Sequence, residues 1–255
     1  MRIFMFDLKD KVAIITGSSR GIGRAIAEMF AKAGAKVVVS SRSEEACAPV
    51  VEAILEAGGE AISIPCHIGK KEQLQALVDK TKEKWGKIDV LVCNAAINPA
   101  YGPLGELTDE LFDKIMGTNV RSTFNICNMV LPDMAENGGG SVILLSSIAA
   151  LRGNGVIGAY GISKAAEAAL ARNLAVEWGP KSIRVNALAP GLVKTDFARA
   201  LWEDPKRLEI AENHTPLRRI GQPDDIAGTA LFLACDASAF ITGQTIVADG
   251  GETIA

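Results

Sequence analysis

Short apolar runs rich in Val and Ile alternate with longer Ala-, Glu- and Lys-rich stretches along nearly the whole chain, and no other feature narrows the possible folds so far. The runs are Val12 to Thr16, Val37 to Ser40, Ala61 to Pro65, Ile88 to Cys93, Ser141 to Ser146, Ile183 to Leu188 and Gln244 to Val247. Each is too short for a helix and is read as a buried strand. The stretches between them, Ile22 to Ala33, Glu44 to Ala57, Lys71 to Trp85, Asp109 to Glu136 and Ala159 to Trp178, are read as helices. Ile22, Ile26, Met29 and Phe30 recur at helical spacing, Thr108 is a candidate N-cap, and Gly34, Gly58 and Gly86 stand where a left-handed residue closes a helix. Strands joined through helices pair in parallel by right-handed crossovers and are covered on both faces. The sequence therefore predicts a single α/β domain over residues 1–255: a doubly wound parallel sheet of about seven strands, helices on both faces.

Composition excludes several classes of function. The chain has 255 residues, 48% hydrophobic and 22% charged, enough to bury a large core. A net charge of −3 gives no basis for binding nucleic acid or an anionic membrane. Cys47, Cys66, Cys93, Cys127 and Cys235 include no Cys-x-x-Cys pair and are expected to be reduced, buried thiols. With only His67 and His214, far apart, neither a metal site nor a Ser-His-Asp triad is expected. The apolar start, Met1 to Phe6, is too short for a signal peptide or a membrane span, and Glu252 to Ala255 is no peroxisomal or retention address. A cytoplasmic protein is expected.

Ligands of open α/β sheets bind beyond the carboxyl ends of the strands. The first strand ends in Thr16-Gly17-Ser18-Ser19-Arg20-Gly21-Ile22-Gly23 and runs into a helix. Glycines there let the backbone approach a pyrophosphate, and the helix N-terminus offers free N–H groups and partial positive charge. The spacing is Gly-x-x-x-Gly-x-Gly, so the turn gains its meaning from its position after the first strand. The second strand ends in Ser40-Ser41-Arg42, with no carboxylate to take a ribose 2′-hydroxyl. Arg42, with Arg20 from the glycine turn, could clamp a 2′-phosphate, which points to NADP(H) over NAD(H); two solvated surface arginines are the bland alternative.

Tyr160 and Lys164 lie four apart on one helical face, after a strand ending in Ser146-Ser147. Reducing a ketone needs hydride at carbon and a proton at oxygen. A Tyr hydroxyl can give the proton, but its free pKa is about 10, and a nearby ammonium favours the phenolate. A Ser hydroxyl can bond the substrate oxygen as charge develops on it.

Together these residues resemble the short-chain dehydrogenase/reductase family, over essentially the whole chain. The likeness rests on the glycine turn, Asn94-Ala95-Ala96, Thr118-Asn119-Val120, Ser147, Tyr160-x-x-x-Lys164, Pro190 to Thr195, and the tail Ile241 to Gly251. It implies a single-domain Rossmann fold in which Tyr160 is the general acid/base, Lys164 holds the nicotinamide ribose and lowers the Tyr pKa, and Ser147, thirteen residues before Tyr160, bonds the substrate oxygen. It implies that Asn119 holds a water relaying protons to Lys164. Gly17, Ser19, Arg20, Gly21, Ile22 and Gly23 would cradle the pyrophosphate, with Ser41 and Arg42 at the adenosine end. Asn94, Ala95 and Ala96 would lie near the cofactor ribose. Pro190 and Gly191 would also bind the cofactor, and Val193 and Thr195 would bond the carboxamide of its nicotinamide. A homotetramer, with the last helix and strand in an interface, is also implied. Two positions depart from the pattern. His67 replaces the usual Asp that binds adenine, leaving the Ile68 N–H as a substitute, and Ile97 replaces the usual Gly after Ala96.

Residues 192–216 are expected to form a substrate lid, with Phe197 and Trp202 either walling an apolar pocket or simply packing, and His214 structural. Asn98-Pro99 and Leu201-Trp202 are similar to the peroxisomal carbonyl reductase branch of the family, which points to a ketone or alcohol of small molecular size. A 3-oxoacyl thioester reductase for acyl-carrier protein, approached through Arg199, Lys206, Arg207, Arg218 and Arg219, stays open, as does an NAD-dependent alcohol dehydrogenase. A non-catalytic NADPH-sensing regulator is a different class, disfavoured by the intact Asn119, Ser147, Tyr160 and Lys164 set.

Overall fold

The computed structural model describes residues 5–255; the first part of the apolar start, residues 1–4, lies outside them. Seven parallel strands form one sheet in the order β3-β2-β1-β4-β5-β6-β7. They are β1 (Val12–Thr16), β2 (Lys36–Ser40), β3 (Glu60–Ser63), β4 (Val90–Cys93), β5 (Gly140–Leu145), β6 (Ile183–Pro190) and β7 (Thr245–Ala248). Successive side chains point to opposite faces of a strand. Ile15, Val37 and Val39 therefore pack with Phe30 and Ile26 of α1 (Gly21–Lys32), Val50 of α2 (Glu44–Glu56) and Ile226 of a late helix. Ile14, Val38 and Leu91 pack on the other face with Leu74 of α3 (Lys71–Trp85), Val130 of α5 (Ser122–Glu136) and Leu174 of α6 (Gly158–Trp178). These are two cores, one on each side of the sheet, as a doubly wound fold requires.

Between β4 and α5 lies α4 (Asp109–Met116), whose cap is the expected one: Thr108 accepts from the Leu111 N–H at 3.3 Å. The single helix expected over Asp109 to Glu136 is interrupted by a π-helical turn at Gly117–Arg121. After β6 come two short helices, α7 (Arg199–Trp202) and α8 (Pro205–His214), then α9 (Pro223–Ala234). α9, which is not among the helices expected from the sequence, packs on α1 and β5 and contributes Ile226, Ala227, Ala230 and Leu233 to the core. A capping box between Gln222 and Asp225, with Pro223 at the first position, starts it. β6 runs to Pro190, two residues beyond the expected end, because β7 pairs with it as far as Pro190–Ala248.

The strand order reverses between β2 and β4, on either side of β1. The crossovers leave in opposite directions there, so a crevice opens at the carboxyl ends of β1 and β4. All further site residues are found around that crevice.

Candidate active site

The glycine turn is held by its neighbours rather than by itself. Thr16 accepts from the N–H groups of Asn94 (3.0 Å) and Ala95 (3.1 Å), which ties the end of β1 to the end of β4. The Asn94 amide donates to the carbonyls of Thr16 (2.9 Å) and Gly17 (3.0 Å). The Asn94 side chain thus braces the turn's backbone. Gly17 and Gly21 have φ of +67° and +55°, left-handed values that favour glycine. A Cβ on Gly23 would lie 2.4 Å from the Gly17 carbonyl oxygen, so α1 and the turn meet there backbone to backbone. Arg20, the N-cap residue of α1, makes no side-chain cap bond, and the first turn carries no acid. Among the described residues, no protein acceptor meets the N–H groups of Gly21, Ile22 or Gly23. Open N–H groups and an uncompensated helix dipole fit a pyrophosphate.

The adenosine end is built from β2 and β3. Ser18 and Ser40 bond reciprocally, Ser18 N–H to Ser40 O at 3.0 Å and Ser40 N–H to Ser18 Oγ at 2.9 Å. Cys66 N–H donates to Ser41 O at 2.6 Å, which brings Ser41, Arg42, His67 and Ile68 into one rim. His67 is used locally: its Nδ1 accepts from Gly69 N–H at 3.1 Å, and its own N–H donates to Gln73 at 2.7 Å. Among the described residues, no protein acceptor is bonded to the Ile68 N–H. Arg42 is exposed and forms no ion pair among the described residues, whereas Arg20 pairs with Asp196 at 3.7 Å. The two guanidinium groups therefore do not share a partner.

At the carboxyl end of β5 the two serines part. Ser146 is buried and donates to the Lys164 carbonyl at 2.8 Å; Ser147 is half-buried and caps a short turn, accepting from Ala149 N–H at 3.1 Å. A Cβ on Gly161 would lie 2.7 Å from the Ala149 carbonyl oxygen, so the lack of a side chain lets α6 press against that turn. Tyr160, one residue earlier, is thereby brought to Ser147. Burial pushes the Tyr160 phenol above its usual pKa, against the Lys164 charge and the Ser147 hydroxyl, both of which favour the phenolate. Lys164 Nζ lies 5.6 Å from the Tyr160 ring centroid.

Two findings add to the expected picture. First, Asn119 sits on the π turn and is fully buried. Its amide accepts from Ile97 N–H (2.9 Å) and donates to Ile97 O (3.0 Å) and Ser163 Oγ (3.0 Å). It clamps the loop at the position where Ile97 departs from the family pattern. Second, Lys164 Nζ donates to Leu145 O at 2.6 Å and to Glu167 at 2.7 Å, and Lys164 and Glu167 are only 2% and 1% exposed. The sequence analysis does not single out Glu167, although its spacing puts it on the face of Tyr160 and Lys164, in a helix whose next buried positions are Ala168, Ala171 and Leu174.

Residues 192–216 cross over the crevice. A Cβ on Gly21 would lie 3.2 Å from Thr195 Cγ2, so Thr195 sits on the glycine turn. Val193 is buried and bridges to Gly221, and Gly191 lies against Asp249 after its N–H bonds Ala248 O at 3.1 Å. The Phe197 ring is 6.0 Å from that of Tyr160, and Trp202 donates to Thr195 O at 2.9 Å while stacking under Lys194. Phe197 faces the crevice, whereas Trp202 packs. His214 bonds Ile210 O at 2.7 Å within its own helix. No group of three or more His, Cys, Asp or Glu residues among the described residues could hold a metal.

Comparison with known proteins gives a consistent picture. The family model described as enoyl-(acyl carrier protein) reductase matches residues 17–253. Dehydrogenase/reductase SDR family member 4 of Sus scrofa is 43% identical over 244 residues, 96% of this chain and 88% of that protein. A 7α-hydroxysteroid dehydrogenase solved with NADH and 7-oxo glycochenodeoxycholic acid superposes with a TM-score of 0.93 at 40% identity, covering 97% of this chain and 96% of the other. A gluconate 5-dehydrogenase of Burkholderia cenocepacia, solved with NADP and tartrate, gives 0.94 at 34% identity, covering 98% of each.

Proposed function

The chain belongs to the short-chain dehydrogenase/reductase family of oxidoreductases, and on that premise we propose that it is an NADP(H)-dependent carbonyl reductase, moving hydride between nicotinamide and a ketone or secondary alcohol. The observation that carries this reading is the meeting of Ser147, Tyr160 and Lys164 beside the open N–H groups of the glycine turn. Bound nicotinamide supplies the hydride to the carbonyl carbon. Ser147 donates a hydrogen bond to the carbonyl oxygen as negative charge develops there. Tyr160 gives that oxygen its proton, so the carbonyl becomes an alcohol and the phenol a phenolate. Lys164 stabilises the phenolate. Burial keeps the phenol protonated at neutral pH, the state that proton donation needs. Val193 and Thr195 would hold the carboxamide end, and residues 192–216 would act as a lid with Phe197 as its apolar inner wall.

NADP(H) is favoured by Ser41 and Arg42 standing at the end of β2 in place of a carboxylate, and by the exposure of Arg42, which has no ion pair among the described residues. Arg42→Asp is expected to weaken NADPH binding at least tenfold, about 1.4 kcal/mol, with NADH affinity equal or better, read by fluorescence titration. Unchanged NADPH affinity would leave NAD(H) as the cofactor. The acyl-carrier reading draws on the matched family's description, but its basic patch is largely spent. Arg199 pairs with Asp196, Arg219 with Asp225, and Arg207 with Ala200 O. Free ketones are therefore expected to be better substrates than carrier-bound thioesters.

A homotetramer is supported by the edge strand β7, where Val247 stays exposed, and by the exposed Phe240 and Ile254 that flank it in sequence. Phe240→Glu is expected to lower the mass measured by light scattering; an unchanged mass would move the interface elsewhere. No helix among the described residues is long and apolar enough to cross a membrane. A cytoplasmic setting suits five free, buried cysteines.

A further inference from the structure

The face of α6 that carries Tyr160 and Lys164 continues to Glu167, a carboxylate sealed inside the protein. One oxygen accepts from Lys164 Nζ at 2.7 Å; the other lies 3.3 Å from the Thr123 hydroxyl of α5. The single Thr123 hydroxyl proton has its shorter bond to the Asn119 carbonyl, at 2.7 Å, so Lys164 is the main donor to the carboxylate. An ammonium has three N–H donors. Two are used, on Glu167 and on Leu145 O of β5, which leaves one for the crevice.

Burial pushes the Glu167 carboxyl above its usual range, and the Lys164 ammonium at 2.7 Å opposes this and favours the carboxylate. Cys93, at the end of β4, is held neutral by its hydrogen bond with Cys127 of α5 and by burial. Burial alone would discharge Lys164, and the charges of Glu167 and Tyr160 outweigh it and raise its pKa. Glu167 in turn opposes the phenolate of Tyr160.

We propose that Glu167 is a positioning residue for the hydride-transfer reaction: it anchors the Lys164 ammonium to the sheet and sets a negative charge behind it, so that only part of the lysine's charge reaches Tyr160. This rests on Tyr160 being the proton donor. The consequence is a site biased toward the protonated phenol, and so toward efficient reduction up to higher pH.

The test is the pH dependence of Glu167→Gln, whose amide oxygen can still accept from Lys164, alongside Glu167→Asp, which keeps the charge. Loss of the negative charge makes a proton easier to lose. In ketone reduction, which needs the phenol, the alkaline limb should therefore move to lower pH by roughly one unit. In alcohol oxidation, which needs the phenolate, the acid limb should move the same way. Glu167→Asp should return both limbs toward wild type. A second reading needs no substrate: the chain has only two tyrosines, so phenolate absorbance resolves Tyr101 and Tyr160, and Tyr160→Phe identifies the step. The Tyr160 step should fall in Glu167→Gln. A shifted Tyr160 step without turnover of any ketone would sink the carbonyl-reductase reading and leave the role of Glu167 standing. Turnover with both limbs and the Tyr160 step unmoved, or moved to higher pH, would overturn the role of Glu167 alone.

Discussion

Tyr160→Phe is expected to lower kcat for ketone reduction by about 10³-fold while NADPH still binds. A positioned general acid contributes about 10²–10⁴-fold, and no other side chain at the crevice can replace this one. Ser147 has its hydroxyl, but an alcohol is a far weaker acid than a phenol. Lys164 is held back on Leu145 O and Glu167. Cofactor affinity should change by no more than about fivefold, the worth of one hydrogen bond near 1 kcal/mol. The ring still packs against Phe197, so the fold should survive. Single-turnover absorbance with NADPH measures the rate and fluorescence titration the affinity. A mutant with wild-type turnover would remove Tyr160 from the mechanism; one that loses NADPH binding would show the phenol to be part of the cofactor site instead.

The second large effect is expected at Gly23. A Cβ there would stand 2.4 Å from the Gly17 oxygen, which is backbone, and 2.5 Å from the Asn94 amide nitrogen, which is pinned to the Thr16 and Gly17 carbonyls. Gly23→Ala must therefore push the glycine turn away from α1 and break the Asn94 bonds that hold it. Forced overpacking of this kind costs about 1–3 kcal/mol, which should lower Tm by roughly 2–12 °C. The N–H groups of Gly21, Ile22 and Gly23 would no longer converge, so NADPH affinity should fall by about 10- to 100-fold. Calorimetry and titration on the same sample separate the two effects. Unchanged affinity would mean that the pyrophosphate is held elsewhere.

How much of this was legible in the sequence follows from which interactions are local. All seven strands lie within two residues of their expected bounds at each end, because short β-branched runs between helical stretches have few other ways to be buried. β6 is longer than its apolar run because β7, remote in sequence, pairs with its end. The helix α9 escaped although its cap, Gln222-Pro223-Asp224-Asp225, and its spacing at Ile226, Ala230 and Leu233 were both in view. The π turn could not be read: Gly117 to Arg121 fits an ordinary helix locally, and the turn is stabilised by what Asn119 meets at Ile97 and Ser163. The same applies to Asn94, whose partners are the carbonyls of β1. Ser147, Tyr160 and Lys164 were legible because strand end, helical spacing and family pattern agree on them. Glu167 had only the spacing, and a charged residue at a core position of a helix was the one available signal.

The most direct measurement is transfer of label. The protein is incubated with NADPH deuterated at the reactive ring carbon and, separately, with aryl ketones, diketones and 3-oxoacyl thioesters, and the product alcohols are analysed by mass spectrometry. The account predicts a free ketone whose alcohol carries one deuterium at the carbinol carbon, with no such product from Tyr160→Phe. An alcohol formed without deuterium, or NADPH bound but no alcohol from any of the three classes, would contradict it.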